Sequence, residues 1–283
     1  MKLGVITPVV TLLPRAHAAW EADAGIDEIA RIAEVADELG YHHLTCSEHV
    51  VVPTDVAQVR GARYWDPLAT LGYVAARTTQ IKLATHVLVL GYHHPLQVAK
   101  TYGTLDVLSG GRVVLGVGVG SLEEEFDLLG ASWAGRGVHA DDTMRALRAA
   151  LGRREPAYDG SHHSFGGFVI EPHAVQPQVP MWVGGRGLKS LQRAVELGDG
   201  WMPFGLPAPA LGEILAQVEL PDGFEVVLGP GPLDPIGDPD RARRRIEALR
   251  DVGATAVTVA LRADSVDHYC DQLAAVKAIA DDV

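Results

Sequence analysis

Between residues 113 and 126 the chain reads VVLGVGVGSLEEEF, an apolar run with Gly116, Gly118 and Gly120 at every second position that ends in three acids. The reading of this stretch decides the fold. A dinucleotide fingerprint needs a third glycine three residues beyond the second, at the entry to a helix, and an acid closing the next strand about 20 residues on. Here Gly116 and Gly118 lead to Ser121, and the next strand candidate lies beyond Arg153. What remains is a buried strand, Val113–Val117, followed by a turn. Gly116 is assigned to packing, where a small residue lets barrel strands crowd together. Gly118, Val119, Gly120 and Ser121 are assigned to a turn whose amides can form a nest for phosphate. On that reading, valine at Gly120 weakens ligand binding and leaves the barrel folded. The run Glu123-Glu124-Glu125 reads as a solvated helix start favoured by the helix dipole.

Working outward, short apolar strands alternate with amphipathic helices along the whole chain. The strand candidates are Leu3–Val9, His42–Cys46, Ile81–Leu90, Val113–Val117, Met181–Val183, Gly200–Pro203, Phe224–Leu228 and Ala256–Ala260. Proline at the first helical position marks helix starts at Asp66-Pro67, His94-Pro95 and Asp238-Pro239. Gly40 ends the first long helix, where Ile26, Ile29, Ala30, Ala33 and Ala36 keep one face apolar, and the same pattern ends at Gly198 and Gly253. Eight such units predict a (β/α)8 TIM barrel, α/β in class, as one domain over 1–283 with a short hairpin-like insertion before strand 5, at about 155–180. The doubly wound sheet is the alternative, and eight strands are many for it.

The bulk numbers narrow the function. A chain of 283 residues, 47% hydrophobic, can bury a large core. A formal charge of −12 argues against a nucleic-acid surface. No apolar run approaches the roughly 20 residues needed to span a bilayer, and Pro8, Pro14 and Arg15 interrupt any signal-like start, so a cytoplasmic location is expected. Cys46 and Cys270 have no disulfide or zinc spacing and read as buried apolar residues. Adjacent histidines such as His42-His43, His93-His94 and His162-His163 point to opposite faces of a strand and do not easily share an ion, and Leu3–Val9 lacks the histidine pair of metal-dependent barrel hydrolases. No metal is expected.

A barrel gathers its site at the C-terminal ends of its strands. There stand Ser47-Glu48-His49 after the second strand, His86 and Tyr92-His93-His94 at and beyond the exit of the third, Gly118 to Ser121 after the fourth, and Gly184-Gly185-Arg186-Gly187 after the fifth. The last of these opens a helix, so its backbone N–H groups, the helix N-terminus and Arg186 all favour an anion. Glu48 and His49 are a candidate acid/base pair, although consecutive side chains diverge. No serine nucleophile motif is present.

Ser47-Glu48-His49-Val50-Val51-Val52-Pro53, Thr85-His86-Val87-Leu88, Leu108-Ser109-Gly110-Gly111-Arg112 and Trp182-Val183-Gly184-Gly185 occur in one order and spacing. With them the chain resembles the luciferase-like monooxygenase superfamily, in particular its short actinobacterial branch of oxidoreductases that use the deazaflavin coenzyme F420. The resemblance implies hydride transfer between F420 and a small organic substrate at the barrel mouth. It puts Glu48 and His49 at the redox face, with Thr85, His86 and Val87 behind the ring and a non-prolyl cis peptide at His86-Val87. Val119, Gly120, Ser121, Gly184, Gly185 and Arg186 would then hold the cofactor phosphate, with Gly187 opening the helix beyond. Arg60 and Arg63 would meet the acidic tail of F420, and a homodimer is implied. Two other readings stay open: an FMN-dependent monooxygenase that uses oxygen, and a cofactor-binding accessory protein without turnover. The second is suggested by Ser121, which stands where related sugar-phosphate dehydrogenases carry a glutamate.

Overall fold

In the computed structural model, which describes residues 1–14 and 16–283, the first half of the 113–126 stretch forms the fourth of eight parallel barrel strands. The strands are β1 (Lys2–Ile6), β2 (His43–Cys46), β3 (Lys82–Thr85), β4 (Val113–Gly118), β5 (Met181–Gly185), β6 (Gly200–Pro203), β7 (Glu225–Leu228) and β8 (Ala256–Leu261). Each pairs with the next, and β8 closes on β1 in the register Lys2↔Ala256 to Val5↔Val259. The helices are α1 (Ala19–Asp23), α2 (Ile26–Glu38), α3 (Thr54–Arg60), α4 (Pro67–Arg77), α5 (Pro95–Ser109), α6 (Glu123–Leu128), α7 (Arg136–Ala150), α8 (Leu188–Leu197), α9 (Ala208–Leu215), α10 (Pro239–Asp251) and α11 (Val266–Asp281). None among the described residues is long and apolar enough to cross a membrane.

Strand alternation sorts β4 between two cores. Val113, Leu115 and Val117 face the helices and join the outer core, whereas Val114 joins an inner cluster with Ala84, Trp182, Met202, Val227 and Ala256. Gly116 and Gly118 share the inward parity of Val114. A Cβ at Gly116 would lie 1.9 Å from the Thr85 carbonyl oxygen and 2.7 Å from the Met202 methyl. The packing role assigned to Gly116 is therefore the observed one.

The three proline-marked helix starts form as read. Asp66 accepts from the Ala69 amide at 2.8 Å, His94 from Leu96 at 3.2 Å, and Asp238 from Arg241 at 3.1 Å. Gly40 and Gly253 have φ of +73° and +102°, but Gly198 ends α8 with φ of −107° and is not left-handed.

Two buried charges brace the loops that enter the strands. Asp37 on α2 accepts from the amides of Thr79, Gln80 and Ile81 at 2.6–2.8 Å. Arg112, at the end of the LSGGR block, donates to the carbonyls of Ala75, Thr78, Ile81 and Ser109. A guanidinium satisfies several helix-end carbonyls that would otherwise be buried unpaired.

The third strand departs from expectation. Instead of running from Ile81 to Leu90, β3 stops at Thr85 and Leu88–Val89 resumes pairing with β4 at Val117 and Gly118; between them the His86–Val87 peptide is cis, at the position named for it above. The insertion contains an antiparallel ribbon, Tyr158–Asp159 with Ser164–Phe165. It is tied to α7 by Asp142, which accepts from the Tyr158 hydroxyl and the amides of Ser161, His162 and His163 at 2.8–3.0 Å.

Candidate active site

The segments leaving β2, β3, β4 and β5 meet around two carboxylates. Glu48 is buried, and both of its oxygens are engaged: Oε2 accepts from the Val89 amide at 2.6 Å, and Oε1 lies 2.7 Å from Nε2 of His93. Burial alone pushes the His93 imidazole down, but the Glu48 carboxylate outweighs it and holds the group above its ordinary value of 6.5. The pair clamps the segment after β3 to the exit of β2.

His49 turns the other way from Glu48. Its Nδ1 lies 2.6 Å from Oε2 of Glu125, and its ring packs edge-on against Tyr64 at 4.5 Å. Glu125 belongs to the acidic run expected to be a solvated helix start. It is instead completely buried, accepting also from the Tyr92 hydroxyl at 2.8 Å and from the amides of Val50 and Val51 at 2.7 and 3.2 Å. Burial works against its charge, yet His49, Tyr92 and the Val50 amide together hold the carboxyl below its usual range. Glu123 and Glu124 are exposed, as read. Position on α6 makes the difference, because Glu125 lies on the same inward side as the buried Phe126. Sequence reasoning missed it; the signal was an acid adjacent to an apolar residue in a first turn whose other acids face water.

This arrangement fixes a tautomer. An ionised Glu125 can only accept, so whenever the His49 ring carries a single proton that proton sits on Nδ1 and Nε2 is the free nitrogen. A carboxylate thus stands in the segment after β4, although Ser121 itself is not one.

The remaining site candidates divide by burial. Thr85 is buried and donates to the Gly116 carbonyl at 2.7 Å. His86 is half-buried by exposure, and desolvation lowers its pKa to about 4 and keeps it neutral. Val87 sits between the two glycine segments: a Cβ at Gly118 would lie 2.6 Å from its Cγ2, and one at Gly184 would lie 2.8 Å from its Cγ1. Gly118 and Gly184 are buried, so their glycine character serves this close approach. Val119, Gly120, Gly185 and Gly187 are half-buried, and Ser121 and Arg186 are exposed. Among the described residues the amides of Gly120, Ser121 and Arg186 have no hydrogen-bond partner, and a Cβ on Gly187 would meet nothing within 4 Å. The Arg186 guanidinium lies over the Phe204 ring at 5.3 Å.

Gly120 has φ of +82°, and a Cβ there would come within 2.4 Å of the Phe126 ring. Valine would strain the backbone and disturb Phe126, so its effect is not confined to a ligand, contrary to expectation. Arg60 donates to Ser121 Oγ at 2.9 Å and to its carbonyl at 3.2 Å. Arg63 is committed elsewhere, on the carbonyls of Glu21 and Ala22 at the end of α1. His42 and His43 do not diverge. Their Nδ1 atoms are 3.1 Å apart and His43 binds Thr258 Oγ1 at 2.8 Å, beside Trp182, which makes them part of the barrel floor.

Comparison with known proteins agrees in fold. Residues 1–220 match the family described as luciferase-like monooxygenase. An uncharacterised protein of Mycobacterium tuberculosis is 31% identical over 278 residues, covering 90% of this chain and 95% of that protein. Coenzyme F420-dependent tetrahydromethanopterin reductase from Methanopyrus kandleri superposes with a TM-score of 0.73 at 17% identity, over 97% of this chain and 98% of that one. The oxygenating constituent of 3,6-diketocamphane monooxygenase from Pseudomonas putida, in complex with FMN, also gives 0.73, at 16% identity over 100% and 98%.

Proposed function

Because the chain belongs to the luciferase-like monooxygenase family, we propose that it is an oxidoreductase transferring hydride between F420 and a small organic substrate at the C-terminal mouth of the barrel. One observation carries the reading: Val87 packs against both Gly118 and Gly184, so the segments after β3, β4 and β5 converge beside the His49–Glu125 pair. The donors present fit a phosphate-bearing cofactor. Among the described residues the amides of Gly120, Ser121 and Arg186 have no acceptor, and the first turn of α8 adds its dipole.

Bound F420 supplies the hydride-accepting carbon, and the protein supplies position and proton control. His49, fixed by Glu125, offers Nε2 to hold or take a proton from a substrate hydroxyl. Glu48 positions rather than reacts, since Val89 and His93 already occupy it. The structural likeness to an F420-dependent reductase supports this choice, while the likeness to an FMN-bound monooxygenase defines its rival.

Titration of the protein with each cofactor, followed by quenching of tryptophan fluorescence, separates the two. Saturable F420 binding is the expected result. Tight FMN binding with no F420 binding overturns the proposal.

A further inference from the structure

A cavity of about 220 Å³ opens beside the exits of β7 and β8 and shares no residue with the site described above. Three guanidinium side chains line it: Arg241 and Arg245 on α10, and Arg262 just after β8. The chain carries an excess of acid, yet no carboxylate among the described residues lies within ion-pair distance of any of the three. Arg245 is oriented by the Pro232 carbonyl at 3.1 Å. Arg241 and Arg262 are exposed, and their side chains have no hydrogen-bond partner among the described residues.

The two acids in the wall are already occupied. Asp234 Oδ1 accepts from Gln272 Nε2 at 2.7 Å and from the Gly237 amide at 2.9 Å, and Asp238 caps α10. Three cations against two anions leave a net positive cavity, and the 13-residue α10 adds the positive end of its dipole. The contrast with another cavity, of about 300 Å³, is informative. There Arg145 and Arg148 also line the wall, but each is neutralised, by Glu196 and Asp199.

We propose that the Arg241–Arg245–Arg262 cavity binds a compact phosphate group, either inorganic phosphate or the phosphate of a monoester. Guanidinium forks match phosphate oxygens bidentately, and three of them can serve a tetrahedral dianion where one carboxylate would leave donors unused. The exits of the last two strands are also where barrels frequently hold phosphate. The site is separate from the glycine turns after β4 and β5 and does not depend on which cofactor, if any, they hold.

Calorimetric titration with inorganic phosphate, glycerol phosphate and acetate tests the assignment on the wild-type protein and on R241A, R262A and R186A. Arg241 and Arg262 are exposed, so their variants retain the fold, which circular dichroism checks. Saturable phosphate binding is expected, weakened at least about tenfold in R241A and R262A. Tighter binding of glycerol phosphate assigns the site to a monoester, and tighter binding of inorganic phosphate assigns it to the free ion; either supports the proposal. No saturation overturns it, as does equal affinity for acetate. Loss in R186A with retention in R241A and R262A also overturns it, by moving phosphate to the turn after β5.

Discussion

Glu125 shows how much one buried carboxylate can organise. With no exposure it accepts from four donors belonging to His49, Val50, Val51 and Tyr92, and so joins the exit of β2, the segment beyond β3 and α6. Removing it strands those donors without water, which costs more than an average hydrogen bond. E125A is expected to lose about 3 kcal/mol of stability in chemical denaturation. E125Q keeps the shape but brings an amide N–H₂ toward donors that need an acceptor. If Glu125 only fills space, E125Q restores both stability and the pH profile of turnover. If it fixes the His49 tautomer, E125Q recovers stability in part and leaves the pH profile altered. Full recovery of both by E125Q would refute the positioning role.

At the scale of elements, the insertion shows how a two-stranded ribbon, too small to be stable alone, is anchored to a helix, chiefly by one carboxylate and also by the Thr143 hydroxyl, 3.0 Å from His163 Nε2. Asp142 receives the Tyr158 hydroxyl and three consecutive amides. Burial works against its charge, but those four donors lower its pKa from 3.8 to about 2. A carboxyl with a depressed folded-state pKa stabilises fully above its unfolded value and loses that contribution as pH falls through the folded one. D142N should therefore make the 158–165 ribbon more susceptible to limited proteolysis at pH 7, and the difference from wild type should fade between about pH 4 and pH 2. A difference that persists unchanged at pH 2 would show that the ribbon is held by packing. That a hairpin-like insertion stands at about 155–180 was legible in the sequence. Its anchor was not, because Asp142 lies in a helix of unremarkable pattern 16 residues before Tyr158.

For the whole molecule, a ligand that binds only the folded barrel raises its stability by mass action. At 100 times its dissociation constant, F420 should add about 2.7 kcal/mol, or roughly 5 °C in melting temperature for a chain of this size. An unchanged melting temperature at saturating F420 would remove the proposed cofactor. The same scale separates what pattern and contact each contribute. By itself the sequence determined the eight parallel strands, the helix starts at Asp66, His94 and Asp238, and the parity of VVLGVGVGSLEEEF, because these follow from period, capping and backbone geometry within a few residues. Only the tertiary structure decided what the parity was for. Gly116 and Gly118 make room for Thr85 and Val87 on the neighbouring strand segment, and Glu125 turns inward to meet His49, 76 positions earlier in the chain. Close approach and charge pairing across such separations depend on where closure of the barrel brings the strand ends, and no local pattern encodes that.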